Sequence, residues 1–260
     1  MFVDSHCHLS QLKLQQNQML ADVIEAANNE NVRGFLSVAT DIDNALAIQQ
    51  QAHTLKNVWV TAGLHPLHPI SDPAWHKQLE ALALHQSCVA IGETGLDYYY
   101  AREKDAQQWQ RDALEYHIDL SNKLGKPLVI HTRNAQQHTL DILKANVKSD
   151  KPGVIHCFTE DLKLANSFLE LGFYISFSGI ITFKNAQSLR DVVKQIPLER
   201  ILIETDSPYL APEPFRKESN VPQYVVEVAK CISLIKNEPI EHIARQTTVN
   251  FENLFDLKVS

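Results

Sequence analysis

Eight short apolar runs rich in β-branched residues recur along the chain, and a segment of helical character follows each of them. Continuous apolar runs are typical of strands that are buried on both faces of a parallel sheet. Eight alternations of strand and helix predict an α/β fold in the form of a closed (β/α)8 barrel, or TIM barrel, with an open doubly wound sheet as the alternative. The predicted strands are Phe2–Asp4, Gly34–Ala39, Val58–Ala62, Cys88–Gly92, Leu128–Ile130, Gly153–Ile155, Phe173–Ser176 and Ile201–Glu204.

The clearest predicted helix is Lys104–Leu124, where apolar residues recur at helical spacing. Gly125 is placed to end this helix, and Pro127 would then open the next strand. Further along, Pro222 stands where the first residue of another helix is expected, with Asn220 as a candidate N-terminal cap.

The length of 260 residues is typical of one such barrel, and no linker, repeat or low-complexity segment divides the chain. We therefore expect a single domain over residues 1–260. The chain carries 24 basic and 31 acidic residues, a formal net charge of −7. A protein that coats duplex nucleic acid nonspecifically is normally basic, so this balance argues against a long nucleic-acid footprint. A short contact with the end of a nucleic-acid strand remains compatible with the negative net charge.

The four cysteines are widely spaced and form no CxxC pair, which is typical of reduced thiols. The N-terminal segment MFVDSHCHLS lacks a basic region followed by an apolar run, and no apolar stretch is long enough to span a bilayer. We therefore expect a cytoplasmic protein with no membrane association. Nothing in the sequence implies an obligate protein partner.

Six side chains of metal-binding type stand at or just beyond the predicted ends of five strands. In a (β/α)8 barrel the carboxyl ends of the strands converge on one mouth, where active sites lie. Each residue alone has a simpler explanation, such as a hydrogen-bonded core histidine or a carboxylate that caps a helix. All six together would need six unrelated explanations, and burying the carboxylates unpaired would be costly. The sequence therefore predicts a metal site made of His6, His8, Glu93, His131, His156 and Asp206.

The spacing of His6 and His8 has a specific meaning. Alternate residues of a strand point to the same face, so the two imidazoles face the barrel together while Cys7 points away. Two imidazoles side by side can chelate one metal ion. The pair becomes a strong indication only when it is combined with the ligand-type residues at the other strand ends.

Four histidines and two carboxylates suit Zn, Mn, Fe or Co better than Mg, which prefers oxygen ligands. Six ligands exceed what one open catalytic ion needs, so we expect two divalent metal ions that share a carboxylate. Our hypothesis is that Glu93 bridges them, with the two N-terminal histidines and Asp206 completing one site and His131 and His156 the other. A water activated by the ions would be the nucleophile, and Asp206 would orient it or accept its proton. Glu93 and Asp206 are thus the candidate catalytic residues.

Three residues are candidates for binding substrate. Arg133 lies two residues after His131 and would share its face if the strand continues. Arg216 follows the eighth strand, in a loop that often binds phosphate in this fold, and guanidinium groups suit phosphate. The alternative for both arginines is that they are merely solvated. His65, in AGLHP, ends the third strand and could contact substrate.

Three further features each have two interpretations. The run Tyr98–Tyr100 could stack a base, or its rings could pack against the protein. Asp97 could orient a ligand histidine, or it could be a turn residue. Cys157 fits the wall of the site better than a nucleophile, because only the adjacent His156 is available to activate it.

Eight motifs follow one another along essentially the whole chain: FVDSHCHL, GLHP, IGETGLDYYY, KPLVIHTR, VIHCFTED, LGFYISFSGIITF, ETDSPYLAP and NFENLF. As an ordered set they resemble the TatD family of metal-dependent deoxyribonucleases and hydrolases, in particular its YcfH-like branch. The resemblance implies a (β/α)8 barrel with two divalent metals held by the same six residues. It also implies hydrolysis of nucleic-acid ester bonds, with nucleic-acid ends or a small phosphodiester as the partner.

The chain departs from the family pattern at three places. Ser10 and Asn134 stand where the family usually has Asp, and Lys217-Glu218 replaces a common Gly-Lys after Arg216. None of these changes removes a predicted ligand. The last one alters the loop that we assigned to phosphate, so its expected effect is on substrate preference.

Other functions use the same predicted site. An amidohydrolase or lactonase could act through the same metals, although many such enzymes bridge their ions with a modified lysine where Glu93 stands. Arg133 and Arg216 favour a phosphate ester over an amide or lactone. An aminoacyl-ester hydrolase acting on transfer RNA is a third possibility. A noncatalytic binding module would be expected to have lost ligands, and this chain keeps six.

Overall fold

The computed structural model describes residues 1–260 and contains one sheet of eight parallel strands in sequential order. The strands alternate with helices and form a nearly closed TIM barrel, which confirms the predicted fold class and excludes the open doubly wound sheet. The strands are β1 Phe2–Cys7, β2 Val32–Ser37, β3 Val58–Ala62, β4 Cys88–Asp97, β5 Leu128–Arg133, β6 Gly153–Ile155, β7 Tyr174–Phe177 and β8 Ile201–Ile203.

Nine α-helices surround the sheet. The long helix α4 spans Lys104–Leu124 as predicted, and Gly125 ends it with a left-handed φ of 65°. No helix combines the length and apolarity needed to cross a membrane. The helices are α1 Leu20–Asn29, α2 Ile42–Ala52, α3 Trp75–Ala83, α4 Lys104–Leu124, α5 Gln136–Asn146, α6 Leu162–Glu170, α7 Gln187–Gln195, α8 Val225–Lys236 and α9 Ile240–Phe255.

The prediction that Asn220 caps a helix is wrong. Pro222 begins a short 3-10 helix that leads into α8, and no side chain caps it. Asn220 is buried instead, and its amide nitrogen donates hydrogen bonds to the carbonyl oxygens of Thr205 and Tyr209, at 2.8 and 2.5 Å. The residue therefore fixes the loop that follows β8.

The amino-terminal ends of the strands are covered by α9. Phe251, Leu254 and Phe255 of this helix belong to one buried cluster with Val3 of β1 and Leu202 of β8. Packing at this end leaves the carboxyl ends of the strands as the accessible mouth of the barrel, which is where this fold carries its active sites.

The first and last strands are joined by hydrogen bonds just beyond the regular sheet. The Asp206 N–H donates to the His6 carbonyl at 2.9 Å, and the His8 N–H donates to the Ser207 carbonyl at 2.8 Å. Residues that we predicted to bind one metal are therefore brought together by the closure of the barrel itself.

The buried side chain of an aspartic acid, whose pKa burial raises to about 8, supports this closure. Asp4 is fully buried in β1 and accepts hydrogen bonds from the backbone N–H of Thr205 at 2.9 Å and from its hydroxyl at 2.5 Å. The two residues are 201 positions apart in the sequence. Asp4 thus ties the first strand to the segment that follows the last one.

Replacing Asp4 with alanine is expected to lower the free energy of unfolding by about 3 kcal/mol, because two buried donors of Thr205 lose their acceptor. Denaturant unfolding measures the change. Asp4→Asn keeps one acceptor and should fall between the variant and the wild type. The exposed Asp119→Ala is the control and should stay within about 0.5 kcal/mol of wild type. An Asp4→Ala protein as stable as the control would show that this carboxylate does not support the closure.

Candidate metal centre

A cavity of about 510 Å³ opens at the carboxyl ends of the strands. Five of the six predicted ligands line it, and the sixth, His6, is completely buried beneath them. The cavity wall also contains His65 and Arg133, two of the three predicted substrate-binding residues. The fold therefore collects into one place side chains that the sequence distributes over five strands.

The first group of converging atoms comes from β1, β4 and the segment after β8. The Nε2 atoms of His6 and His8 lie 3.4 Å apart. Oε2 of Glu93 is 3.4 Å from the Nε2 of His6 and 3.8 Å from that of His8. Oδ1 of Asp206 is 3.3 Å from the Nε2 of His8 and 3.7 Å from that of His6.

The second group is formed by the other oxygen of Glu93. Its Oε1 lies 3.1 Å from Nδ1 of His131 and 2.9 Å from Nε2 of His156. These two nitrogen atoms are 3.4 Å apart. Each carboxylate oxygen of Glu93 thus faces a different group of histidines, which is the arrangement that a bridging carboxylate requires.

The backbone around Glu93 is unusually crowded. Gly63 at the end of β3 lies against Gly92, and a Cβ atom at Gly63 would be 2.2 Å from the Gly92 carbonyl carbon. Gly92 itself has a φ of +149°, which side-chain-bearing residues rarely adopt. The Glu93 N–H then donates to the Ala39 carbonyl at 2.9 Å. Two glycines therefore allow β4 to turn the Glu93 side chain into the centre of the mouth.

Glu93 was predicted to end the fourth strand, but β4 continues to Asp97. The pairing of β4 with β5 changes register between Ile91 and Thr94, so Glu93 lies at an irregularity within the strand rather than at its end. The prediction stopped at Gly92 because small and polar residues follow the apolar run, and the end of that run was taken as the end of the strand.

The electrostatics of the cluster favour ionised carboxylates. Burial by itself would raise the pKa of Glu93, but His156, His65 and His131 lower it well below its usual value. Burial likewise opposes ionisation of Asp206, yet the hydrogen bond from His8 and the nearby histidines lower its pKa. The neighbouring carboxylates in turn raise the pKa values of His8, His131 and His156, so protons on these histidines and divalent ions are alternative sources of the positive charge that the buried carboxylates require.

The donor set fits divalent metal ions. Three groups of nitrogen and oxygen atoms lie within 4.8 Å of one another, namely His6–His8–Glu93, His6–His156–Asp206 and His65–Glu93–His131. Imidazole nitrogen and carboxylate oxygen atoms together are the ligands that Zn, Mn, Fe and Co prefer. The residues could therefore hold such ions in two adjacent places that share Glu93.

Two of the ligand histidines have a hydrogen-bond partner behind the ring, and Nδ1 of the third faces a carboxylate at a longer distance without a hydrogen bond. Nδ1 of His8 lies 3.1 Å from the Val38 carbonyl oxygen, and Nε2 of His131 lies 3.2 Å from Oδ2 of Asp97. Nδ1 of His156 lies 3.4 Å from Oε1 of Glu204. Partners of this kind fix the orientation and tautomer of a metal-binding imidazole.

Glu204 is a residue of the site that the sequence analysis did not single out. It is completely buried, and its Oε1 also accepts a hydrogen bond from the Cys157 N–H at 2.8 Å. The available signal was a carboxylate at the end of the apolar strand β8, two residues before Asp206. Such a group needs a buried partner, and that partner is the histidine-bearing segment after β6.

His65 also contacts the cluster, as a member of the donor group that contains Glu93 and His131. Its Nε2 lies 3.5 Å from Oε1 of Glu93, while its Nδ1 accepts a hydrogen bond from the Leu67 N–H at 3.2 Å. Burial lowers the pKa of His65 to about 4, so the ring is neutral. A neutral ring that accepts at Nδ1 carries its proton on Nε2, which makes His65 a hydrogen-bond donor towards the cavity.

The two predicted substrate arginines lie in different surroundings. Arg133 ends β5 and lines the cavity, as its spacing from His131 suggested. Arg216 does not line it: its guanidinium lies 3.7 Å from the ring centroid of Phe183 and donates to the Ala211 carbonyl at 2.9 Å. This packing gives Arg216 a local structural role in the loop after β8.

Cys157 forms part of the cavity wall. Its Sγ lies 3.1 Å from Oγ of Ser178, and burial together with nearby carboxylates raises the pKa of its thiol well above the usual value. A protonated thiol is a poor nucleophile. All four cysteines are free of disulfide bonds.

Comparisons with known proteins agree with this geometry. A family model described as TatD related DNase matches residues 3–256. The uncharacterized metal-dependent hydrolase YcfH of Escherichia coli K12 is 43% identical over 259 residues, covering 99% of this chain and 97% of the relative. The uncharacterized metal-dependent hydrolase YabD of Bacillus subtilis is 37% identical over 259 residues, covering 98% of this chain and 99% of the relative.

A solved structure of a TatD homologue is also similar to this chain. The crystal structure of YJJV, a TatD homologue from Escherichia coli K12, is 27% identical and superposes with a TM-score of 0.88, covering 99% of this chain and 98% of that one. The similarity extends over nearly the full length of all these proteins and therefore covers the whole barrel. The chain therefore belongs to the TatD family of metal-dependent hydrolases.

Proposed function

We propose that the protein hydrolyses phosphodiester bonds at the ends of nucleic acids, as a deoxyribonuclease that removes terminal nucleotides. The observation that carries the proposal is the pair of donor groups that share Glu93 at the base of a cavity whose wall holds Arg133. Two adjacent divalent ions are the usual solution for displacement at a phosphorus atom. The family description, which names a DNase, supports the same chemistry.

The ligands divide between two ions in this proposal. His6, His8, Asp206 and Glu93 would hold one ion, and His131, His156 and Glu93 would hold the second. Bound divalent ions would lower the pKa of a water molecule and neutralise charge that develops on the phosphate oxygens.

The protein's own groups then orient the reactants. Asp206 is ionised and partly open to the cavity, with 14% of its side chain exposed, so it can accept the proton of an attacking water. The Nε2–H of His65 can donate a hydrogen bond to a phosphate oxygen. Arg133 supplies the positive charge on the wall that a phosphate needs.

The size of the cavity supports hydrolysis at the ends of nucleic acids. A volume of about 510 Å³ is that of a pocket for one small molecule, and it suits a terminal nucleotide better than a continuous length of polymer. The formal net charge of −7 supports the same conclusion, because a local grip on one end needs no extended basic surface.

The test is a cleavage assay on end-labelled single-stranded DNA, with protein reconstituted in parallel with Mg, Mn, Zn, Co and Fe. We expect metal-dependent release of nucleotides, and loss of that release in His131→Ala. The exposed His242→Ala on α9 is the matched control and should cleave like wild type.

No release with any ion, despite stoichiometric bound metal, would reject DNA as the substrate while keeping a metal-dependent hydrolase. The next substrates would then be aminoacyl esters, lactones and small phosphodiesters, which the same donor groups could serve. Release that persists in His131→Ala would instead assign the activity to a contaminant.

A further inference from the structure

Two exposed tyrosines and an arginine form a rim beside the mouth of the barrel. Tyr99 and Tyr100 have 43% and 61% of their surface exposed, and their rings meet edge to face at 4.8 Å. The guanidinium carbon of Arg133 lies 4.2 Å from the ring centroid of Tyr99 and 5.2 Å from that of Tyr100. We call these three residues the aromatic rim.

The rim follows from the length of β4. This strand is paired with β5 as far as Asp97 and Arg133, which are direct neighbours across the two strands. The tyrosines come immediately after Asp97, so they leave the sheet beside Arg133, and Arg133 itself lines the cavity. The rim therefore borders the cavity on the side of the second group of ligands.

The rim is also fixed relative to a predicted ligand. Asp97 is buried, and its Oδ1 accepts a hydrogen bond from the Tyr100 N–H at 3.0 Å. Its Oδ2 lies 3.2 Å from Nε2 of His131. One carboxylate thus fixes both the backbone that carries Tyr100 and the imidazole of His131, so the start of the rim has a defined position relative to the second group of ligands.

Tyr98, the first residue of the tyrosine run, has an ordinary packing role. Tyr98 is half-buried against the core, and its hydroxyl oxygen accepts a hydrogen bond from Arg111 at 3.0 Å and lies 3.2 Å from Nδ1 of His138. Tyr99 and Tyr100 have no such partners for their hydroxyl groups and present ring surface to solvent. Packing explains the first tyrosine of the run but not the other two.

We propose that the aromatic rim is a binding site for an unpaired nucleobase, which stacks there while the adjacent phosphate enters the cavity. The inference rests on the proposed function and adds the surface of the protein that would hold an unpaired base of the substrate. A base inside a duplex has both faces covered by its neighbours, whereas an unpaired base can stack on tyrosine or on a guanidinium plane. Stacking of this kind is tolerant of sequence.

The test measures binding, so that it does not depend on turnover. Metal-reconstituted protein is titrated with short, fluorescently labelled single strands in which phosphorothioate linkages slow hydrolysis. One strand carries thymine throughout, and the other has abasic residues at both ends. We expect wild type to bind the first about 10-fold more tightly, the scale of one stacked base.

Variants then assign the difference to the rim. In the double variant Tyr99→Leu/Tyr100→Leu the two strands should bind with nearly equal affinity, whereas Tyr99→Phe/Tyr100→Phe should keep the preference because the rings remain. The single variant Tyr100→Leu reports on the more exposed ring if the double variant unfolds. Equal binding of both strands by wild type, or a preference that survives the leucine substitutions, would overturn the proposal.

The cleavage assay separates this inference from the proposed function. Base-dependent binding without cleavage of any phosphodiester would retain the rim as a nucleobase site and reject the hydrolysis of DNA. Cleavage without base-dependent binding would retain the hydrolysis and reject the rim.

Discussion

Replacing Glu93 with alanine is expected to remove at least one equivalent of bound metal and to lower the hydrolytic rate by about a thousandfold. The reason is that its two oxygen atoms face different groups of histidines, at 2.9–3.1 Å on one side and 3.4–3.8 Å on the other. Without the shared carboxylate, four neutral histidines and Asp206 would have to hold two dications with a single negative charge.

Metal analysis of the purified variant and its rate on end-labelled DNA measure the two effects. Glu93→Gln separates the loss of charge from the loss of volume, and it should also lose metal because an amide is a weaker ligand. The exposed Glu115→Ala on α4 is the matched control and should bind metal like wild type. Full metal occupancy in Glu93→Ala would rule out a bridging role.

Asp206→Asn is expected to lower kcat by about 10²–10⁴-fold, the usual contribution of a positioned general base. The amide keeps the shape of the side chain but cannot accept the proton of an attacking water. The ion proposed for His131 and His156 should remain bound, because Glu93 contacts both of these histidines at 2.9–3.1 Å and is unchanged in this variant.

Single-turnover kinetics together with metal analysis check this prediction, and the exposed Asp119→Asn on α4 is the control. An unchanged rate would exclude Asp206 as the proton acceptor. Loss of both ions would instead show that Asp206 supports the second ion as well, through the donor group that it forms with His6 and His156.

The barrel could be predicted because a continuous apolar run marks each strand in the sequence. Gly153–Ile155 and Val58–Ala62 are predicted to the residue, since apolar and turn residues bound them on both sides. The extensions of β1 to Cys7 and of β4 to Asp97 were missed. Those extensions carry the polar side chains of the site, and polar residues interrupt the very pattern that identifies a strand.

The six converging side chains could also be predicted, because the carboxyl ends of barrel strands share one mouth. The supporting contacts could not. Glu204 depends on its neighbour across the sheet, and the packing of Arg216 on Phe183 depends on how two separate loops meet. The sequence does not show which residues these side chains contact, because only the folded backbone brings the partners together.

The joining of β1 to the segment after β8 has a consequence for how the protein is made. His6 is synthesised before seven of the eight strands, whereas Asp206, whose N–H donates to the His6 carbonyl, follows only after all eight strands have been synthesised. A nascent chain that stops before β8 possesses the N-terminal histidines without their carboxylate neighbour. On the proposed two-ion assignment, tight binding of the first ion would await the completed barrel, and its retention would distinguish finished molecules from partly made ones.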